Sequence, residues 1–300
     1  MSPRKLLRIF ALACISIMPL AARAAPSSAA PNVAVGPQYD TTHVYVAAGD
    51  FDRFVDSVIA TFDGTKSQKG VFQVTPTPSQ TISQLVLTPV GTLSVFGFKT
   101  PIPYPFGIER TGYLVTDMDA AVKSASAHGA DMTVATFPDP IGRDVVIDWP
   151  GGVHMQLYWH TTPPNYPALE TVPENRVYLS LARADVFVKD FVAFSHGRVT
   201  SDDRRAPGIE IGRPNETFRR IRVESTFGKL TVLVTDGHLP YPFGRELTGY
   251  EVKDLNVTLT KAKAAGVTVL VEPFASDHRQ AAIVQFPGGY IAEIHAAMSR

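Results

Sequence analysis

One phrase is written twice in this chain. Tyr104 to Asp117 reads YPFGIERTGYLVTD, and Tyr241 to Asp254 reads YPFGRELTGYEVKD, with ten of fourteen letters identical at a spacing of 137 residues. Two further landmarks follow the same order. HVYVAAGDFDRFVDSV from His43 aligns with RVYLSLARADVFVKDF from Arg176, 133 residues on, and DWPGGVHMQLYWH from Asp148 aligns with QFPGGYIAEIHAA from Gln285, again at 137. Three collinear matches mean two homologous units. They span 40–165 and 173–298, joined by a linker over 166–172 in the proline-rich stretch HTTPPNYPALETVPEN.

Each unit repeats a smaller grammar. HVYVAAGDFDRFVDSVIATFDG alternates as a strand, then Asp50 caps a helix with Phe51, Phe54, Val55, Val58 and Ile59 at helical spacing. RTGYLVTDMDAAVKSASAHGA does the same, with a strand ending at Asp117 and a helix stopping at Gly129. Three β-rich stretches follow each helix: GVFQVTP, ISQLVLTPV and TLSVFGF after the first, MTVATF, DVVIDW and VHMQLYW after the second. The second unit continues with FGKLTVLVT and AAIVQFPGGYIAEIHA, so the pattern strand–helix–three strands occurs four times.

Residues 1–24 read as a secretory signal peptide: Arg4, Lys5 and Arg8, an apolar run from Ile9 to Ala21, and an Ala22-Arg23-Ala24 cleavage site. The run falls short of the about 20 residues a spanning helix needs. Residues 25–39 read as a flexible leader, and the expected location is periplasmic or secreted. Cleavage lowers Lys+Arg from 28 to 24 against 28 Asp+Glu, a net charge of about −4. That balance disfavours nucleic acid and anionic membrane as partners. The one cysteine, Cys14, leaves with the signal, so the mature chain has neither disulfides nor thiol chemistry. A small-molecule partner and a monomer or homodimer are expected.

HVYVAAGDFDRF, TGYLVTDMDAAVKSASAHGAD and WPGGVHMQL in unit one, with TGYEVKDLNVTLTKAKAAGVTV and FPGGYIAEI in unit two, resemble the vicinal oxygen chelate superfamily of glyoxalase I, bleomycin-resistance proteins and extradiol dioxygenases. The resemblance covers most of 40–298. It implies an α+β fold of two tandem glyoxalase-like domains, each a pair of βαβββ modules whose sheet curls around a cavity. It also implies one divalent metal (Fe, Mn, Zn or Ni) that polarises substrate oxygens, held by the first strand of each module and the last strand of the domain.

Carried over residue by residue, those positions fall on His43, Arg110 and Gln156 in unit one, and on Arg176, Leu247 and Glu293 in unit two. Neither set is a complete two-His, one-carboxylate triad, since arginine donates only. Strand alternation adds His154 as a metal ligand on the Gln156 face, with Tyr158 and His160 on that face too. A metal-free form is equally open, in which Arg110 takes the electrostatic role and Arg176 pairs with Glu293. Glu109, with Tyr104 and Arg110, is a candidate catalytic group, and Glu246 is the counterpart of Glu109. The other reading of both glutamates is structural, as acceptors for their turns. The resemblance points to a glyoxalase- or dioxygenase-like lyase or dioxygenase acting on a small oxygenated molecule. A metal-free sequestering protein of the bleomycin-resistance type is the alternative, and a scaffold with filled cavities a third. Whether the chain is an enzyme stays open at this point.

Overall fold

The computed structural model describes residues 32–298, so the signal segment lies outside the described residues. Unit one opens with β1 (Asp40–Tyr45) and α1 (Phe51–Phe62), then the short β2 (Thr65–Lys66) and β3 (Gly70–Phe72), then β4 (Thr81–Thr88) and β5 (Gly91–Phe98). Its second half is β6 (Arg110–Leu114), α2 (Met118–Ala127), β7 (Asp131–Asp139), β8 (Gly142–Trp149) and β9 (Val153–His160). Unit two follows the same course. It runs β10 (Glu174–Leu179), α3 (Leu181–Ser195), β11 (Arg198–Pro207), β12 (Thr217–Glu224) and β13 (Lys229–Val234), then β14 (Thr248–Glu251), α4 (Leu255–Ala264), β15 (Thr268–Ser276), β16 (Arg279–Gln285) and β17 (Ile291–Ala297).

Each unit forms one sheet. The first runs β2-β4-β5-β1-β6-β9-β8-β7, with β3 also on β4, and the second β11-β12-β13-β10-β14-β17-β16-β15. In every half-unit the first strand lies parallel to the last, as β1 on β5 and β6 on β9. The halves join through antiparallel first strands, β1 with β6 and β10 with β14. This is the tandem, paired-module α+β architecture expected from the repeats. The doubled phrase supplies the loop ahead of β6 and the loop ahead of β14, each with a cis Tyr–Pro peptide bond.

The helices carry both sheets on one core. Phe51, Phe54, Val58 and Phe62 of α1 pack in one cluster with Tyr250, Leu255, Leu259 and Phe286 of unit two. Met118 and Ala121 of α2, with Trp149, share a second cluster with Phe187, Phe191 and Phe194 of α3. Each cluster therefore joins half of one domain to half of the other, and burying their apolar faces holds the two sheets back to back. Between the sheets, Asn175 Nδ2 donates to Asp40 Oδ2 at 2.6 Å and the Thr42 and Thr248 hydroxyls meet at 3.0 Å. The helix-bearing faces are consumed in this seam, leaving the opposite, curled faces for a site.

Two local expectations change. Asp50 stands at the N-cap position but makes no capping bond, its carboxylate engaging Arg53 at 2.6 Å instead, whereas Asp117 and Asp254 do cap, accepting from Ala120 N and Val257 N at 2.9 and 3.0 Å. Residues 32–39 of the expected flexible leader are packed: Val33 and Tyr39 are buried, and Val33 O accepts from Thr116 N at 2.8 Å. The charged Asp202–Arg205 stretch lies inside β11, irregularly paired to β12 between Asp203 and Ala206.

Candidate functional site

Side chains alternate along a strand, so pairing register decides which residues meet on the curled face. His43 pairs with Arg110 across β1 and β6, Gly112 with Gln156 across β6 and β9, and Asp144 with Tyr158 across β8 and β9. On this face of domain 1 lies a cavity of about 320 Å³. His43, Gln156, Tyr158 and Asp144 form its polar floor, Tyr45, Phe96 and Phe106 its walls, and Phe72 and Ile141 stand at its margin. Its size and its mixture of apolar wall and few polar groups suit a small organic molecule.

His43 reaches the floor because β6 has a glycine beneath it. A Cβ at Gly112 would lie 2.4 Å from His43 Nε2 and 2.8 Å from Thr41 Oγ1, so only glycine admits the ring. Burial, with the Arg110 guanidinium, holds the imidazole down at about 3, the Gln156 amide alongside acting the other way. The ring is therefore neutral at physiological pH. Gln156 Nε2 donates to Asp144 Oδ2 at 2.8 Å, while Gln156 Oε1 and His43 Nδ1 are buried without a partner. Burial and the neighbouring Asp139 push the Asp144 carboxyl well above the usual range, against the Gln156 bond. Tyr158 donates its hydroxyl to Tyr39 O at 2.5 Å, fixing the far side of the floor.

The other expected site residues are not brought to this cavity wall. His154 shares the Gln156 face, but it sits at the start of β9 opposite Asp148, 3.9 Å from that carboxylate, and does not line the cavity. Tyr104 is 78 % exposed. Glu109 lies outside the lining, and burial pushes its carboxyl up to about 8. Arg110 is buried behind the wall, stacked on Phe106 and Tyr45 at 5.5 and 5.9 Å. Asp144 and Asp139 are the functional candidates that the sequence reading missed. Asp144 occurs in DVVIDW, a run that reads as plain strand, and only its pairing to Tyr158 aims it at the floor.

Domain 2 uses the same positions differently. Arg176, the counterpart of His43, is buried with its guanidinium against the Glu293 carboxylate. Glu293 also faces Arg279 at 3.5 Å and His295 at 3.2 Å, and Glu174 meets Arg279 at 3.2 Å. Burial opposes the Glu293 charge, but Arg176 and Arg279 outweigh it and hold the carboxyl well below its ordinary range. Glu246 is fully buried and accepts from the Tyr178 hydroxyl. A 3₁₀ turn, Gly208–Ile211, places Glu210 against Arg220, with the Ser276 hydroxyl donating to it at 2.5 Å. The floor positions that are neutral in domain 1 are here occupied by ion pairs, and a second pocket of about 370 Å³ opens beside Tyr178, Leu239, Phe243 and Arg245.

No protein-family model and no curated protein matches the chain. Solved structures do match. A variant of 4-hydroxymandelate synthase from Streptomyces coelicolor aligns over 90 % of this chain and 94 % of its own, with a TM-score of 0.59 at 14 % identity. The 2,3-dioxygenase LapB from Pseudomonas aligns over 89 % and 94 %, with a TM-score of 0.51 at 11 % identity. A variant of homoprotocatechuate 2,3-dioxygenase from B. fuscum aligns over 91 % and 75 %, with a TM-score of 0.53 at 11 % identity. The chain has the tandem vicinal oxygen chelate fold.

That fold implies a metal, and the residues present do not fit one. In domain 1 the implied ligand positions hold one imidazole, one neutral amide already bonded to Asp144, and the guanidinium of Arg110. A cation held at those three positions would sit beside a fixed positive charge and find no carboxylate among them, and the carboxyl on the same floor, Asp144, is bonded to Gln156 and pushed by burial toward its protonated form. In domain 2 the one suitable ligand, Glu293, is already neutralised by Arg176. Among the described residues no group of three or more His, Cys, Asp or Glu is arranged to hold a metal ion.

Proposed function

We propose that this vicinal-oxygen-chelate-fold protein binds a small, largely apolar molecule bearing oxygen groups in domain 1, without a divalent ion, and that the equivalent floor of domain 2 is a structural cluster of ion pairs. The observation that carries this reading is the contrast between equivalent faces. Domain 1 presents a cavity of about 320 Å³ whose floor is the neutral pair His43 and Gln156. Domain 2 spends the same positions on Arg176 and Glu293. A polar group on a ligand suits the buried His43 and Gln156 atoms of that floor. The aromatic walls supply stacking surface for its body.

A second reading, a proton-transferring enzyme, is favoured by one arrangement. A neutral His43 imidazole, too weak a base at about 3 to take the proton itself, and an Asp144 carboxyl pushed well upward both touch Gln156, so the carboxyl is the group able to move a proton while His43 positions the substrate oxygen. A lyase-type proton transfer at a carbon beside an oxygen suits that pair.

The test is a ligand-detected NMR screen of hydroxylated and carbonyl-bearing aromatics against the wild type and Ser94→Trp, a bulky replacement at a residue that lines the domain 1 cavity. Hits abolished by Ser94→Trp support the site. Hits that survive it refute the site, and turnover of a hit that stops in His43→Gln would select the enzyme reading. Export to the periplasm or the outside is part of the proposal, supported by the N-terminal signature. A mature N-terminus at Ala25 is expected, and an intact Met1 on the exported or cell-associated protein would overturn it.

A further inference from the structure

Arg110 is 2 % exposed, yet among the described residues no carboxylate forms an ion pair with it. Its Nη2 donates to Pro105 O at 2.5 Å and its Nε to Ile108 O at 3.2 Å, both neutral backbone acceptors, and its Nη1 is buried with no partner. Buried guanidinium groups are ordinarily paired. The adjacent Glu109 does not serve: burial alone pushes its carboxyl up to about 8, with no relief from Arg110. Asp144, two strands away in the sheet, is likewise pushed up by burial and Asp139 without help from Arg110.

Domain 2 shows how the same framework compensates a buried arginine. Arg176 has Glu293 directly against it, with Glu246 and Glu174 adding to the field. Pairing register gives the counterparts. Glu293 pairs with Gly249 as Gln156 pairs with Gly112, and Glu174 pairs with Gly249 as Thr41 pairs with Gly112. Domain 1 thus carries an amide and a hydroxyl where domain 2 carries two carboxylates. Meanwhile the Arg110 charge is felt inside the cavity. Beyond the effect of burial, it lowers both the His43 imidazole and the Tyr45 phenol.

We infer that the missing anion comes with the ligand: the domain 1 cavity takes a molecule with a carboxylate or similarly compact oxyanion at its Arg110–His43 end and an apolar ring along Tyr45, Phe96 and Tyr158. This rests on the domain 1 binding reading and adds the ligand's charge and orientation to it. The oxyanion satisfies the positive potential behind the Tyr45 and Phe106 wall, and it lies away from Asp139 and Asp144 on the β7–β8 side. The apolar part keeps the rest of the cavity dry.

Benzoate and its uncharged isostere benzamide are the probes, titrated calorimetrically near neutral pH into the full mature chain, into Arg110→Met and into Arg110→Lys. The wild type is expected to bind benzoate about 10- to 100-fold more tightly than benzamide. Arg110→Met should lose that preference while still binding benzamide, and Arg110→Lys should keep part of it. Equal affinities, or a preference for benzamide in the wild type, overturn the inference, whether or not Arg110→Met folds. Benzamide binding that is blocked by Ser94→Trp, without any benzoate preference, would leave the cavity reading standing and remove only the anion. Failure of both probes to bind would remove both.

Discussion

Replacing Gly112 by alanine is a direct probe of the cavity floor. The new Cβ would fall 2.4 Å from His43 Nε2, 2.8 Å from Thr41 Oγ1 and 2.9 Å from His43 Cδ2. Ordinary contact needs about 1 Å more, so the ring must tilt off the floor or β6 must move away from β1. Overpacking of this kind costs about 1–3 kcal/mol. Loss of glycine's unfolded-state freedom returns about 0.4–1 kcal/mol. A net destabilisation of about 1–2 kcal/mol is expected for Gly112→Ala. Gly249 is the control at the equivalent place in domain 2. A Cβ there meets His295 Cε1 at 3.4 Å and Glu293 Oε1 at 3.5 Å, which is normal packing, so Gly249→Ala should lie near zero. Urea denaturation of both variants gives the difference, and the His43 ring resonances report whether the imidazole moved. Equal stabilities with an unmoved His43 signal would refute the placement of the ring over Gly112 and with it the account of the floor.

Three other outcomes follow from the charges. The folded chain keeps His43 neutral down to about pH 3 while the unfolded chain protonates it near 6.5, so the unfolded state binds more protons and stability falls as pH drops through that window. The shift corresponds to a loss on the order of 5 kcal/mol at the acid end. His43→Phe should therefore lose less stability than wild type between these pH values, and parallel denaturation curves would contradict the burial of the ring. Glu109 is raised from 4.5 to about 8, so the folded state holds the extra proton and stability is lost as pH rises between those values. Glu109→Gln should match wild type at the acid end and exceed it at the alkaline end, which thermal melts across pH will show. In domain 2, Arg176→Met strips Glu293 of its nearest cation and should cost about 3–5 kcal/mol, whereas Arg176→Met/Glu293→Leu should recover much of it. A double variant as weak as the single one would show that the pair is not a self-contained unit.

Much of this architecture is legible in the repeats. The doubled YPFG phrase, the apolar spacing of α1 and the strand end at Asp117 are local signals, and they fix module number and order. The seam is not local. Nothing in Phe54 or Tyr290 alone says that their rings meet at 5.8 Å across two domains. β11 is hidden because its residues are mostly exposed and strongly charged, so no apolar face marks it as a strand; pairing to β12 does that work. At the site, alternation identifies the face of β9 but not how far along it the cavity extends. His154 and Gln156 therefore read alike, although only Gln156 reaches the floor. Tyr104 and Glu109 draw attention because the repeated phrase contains them, and that phrase forms the loop ahead of β6 in one domain and ahead of β14 in the other. Asp144 lacks any local signal, since its role depends on a partner strand and on the desolvation that only the folded cavity imposes.

The central claim is that domain 1 is a ligand cavity in which Arg110 stands where a divalent ion would need a ligand. It is tested most directly by the metal content of the mature, tag-free protein after exposure to Fe²⁺, Mn²⁺, Zn²⁺ and Ni²⁺, beside His43→Ala. The account predicts far less than one ion per chain for every metal, and the same trace in the variant. Near-stoichiometric metal in the wild type that disappears in His43→Ala would contradict it and restore a chelate mechanism to domain 1.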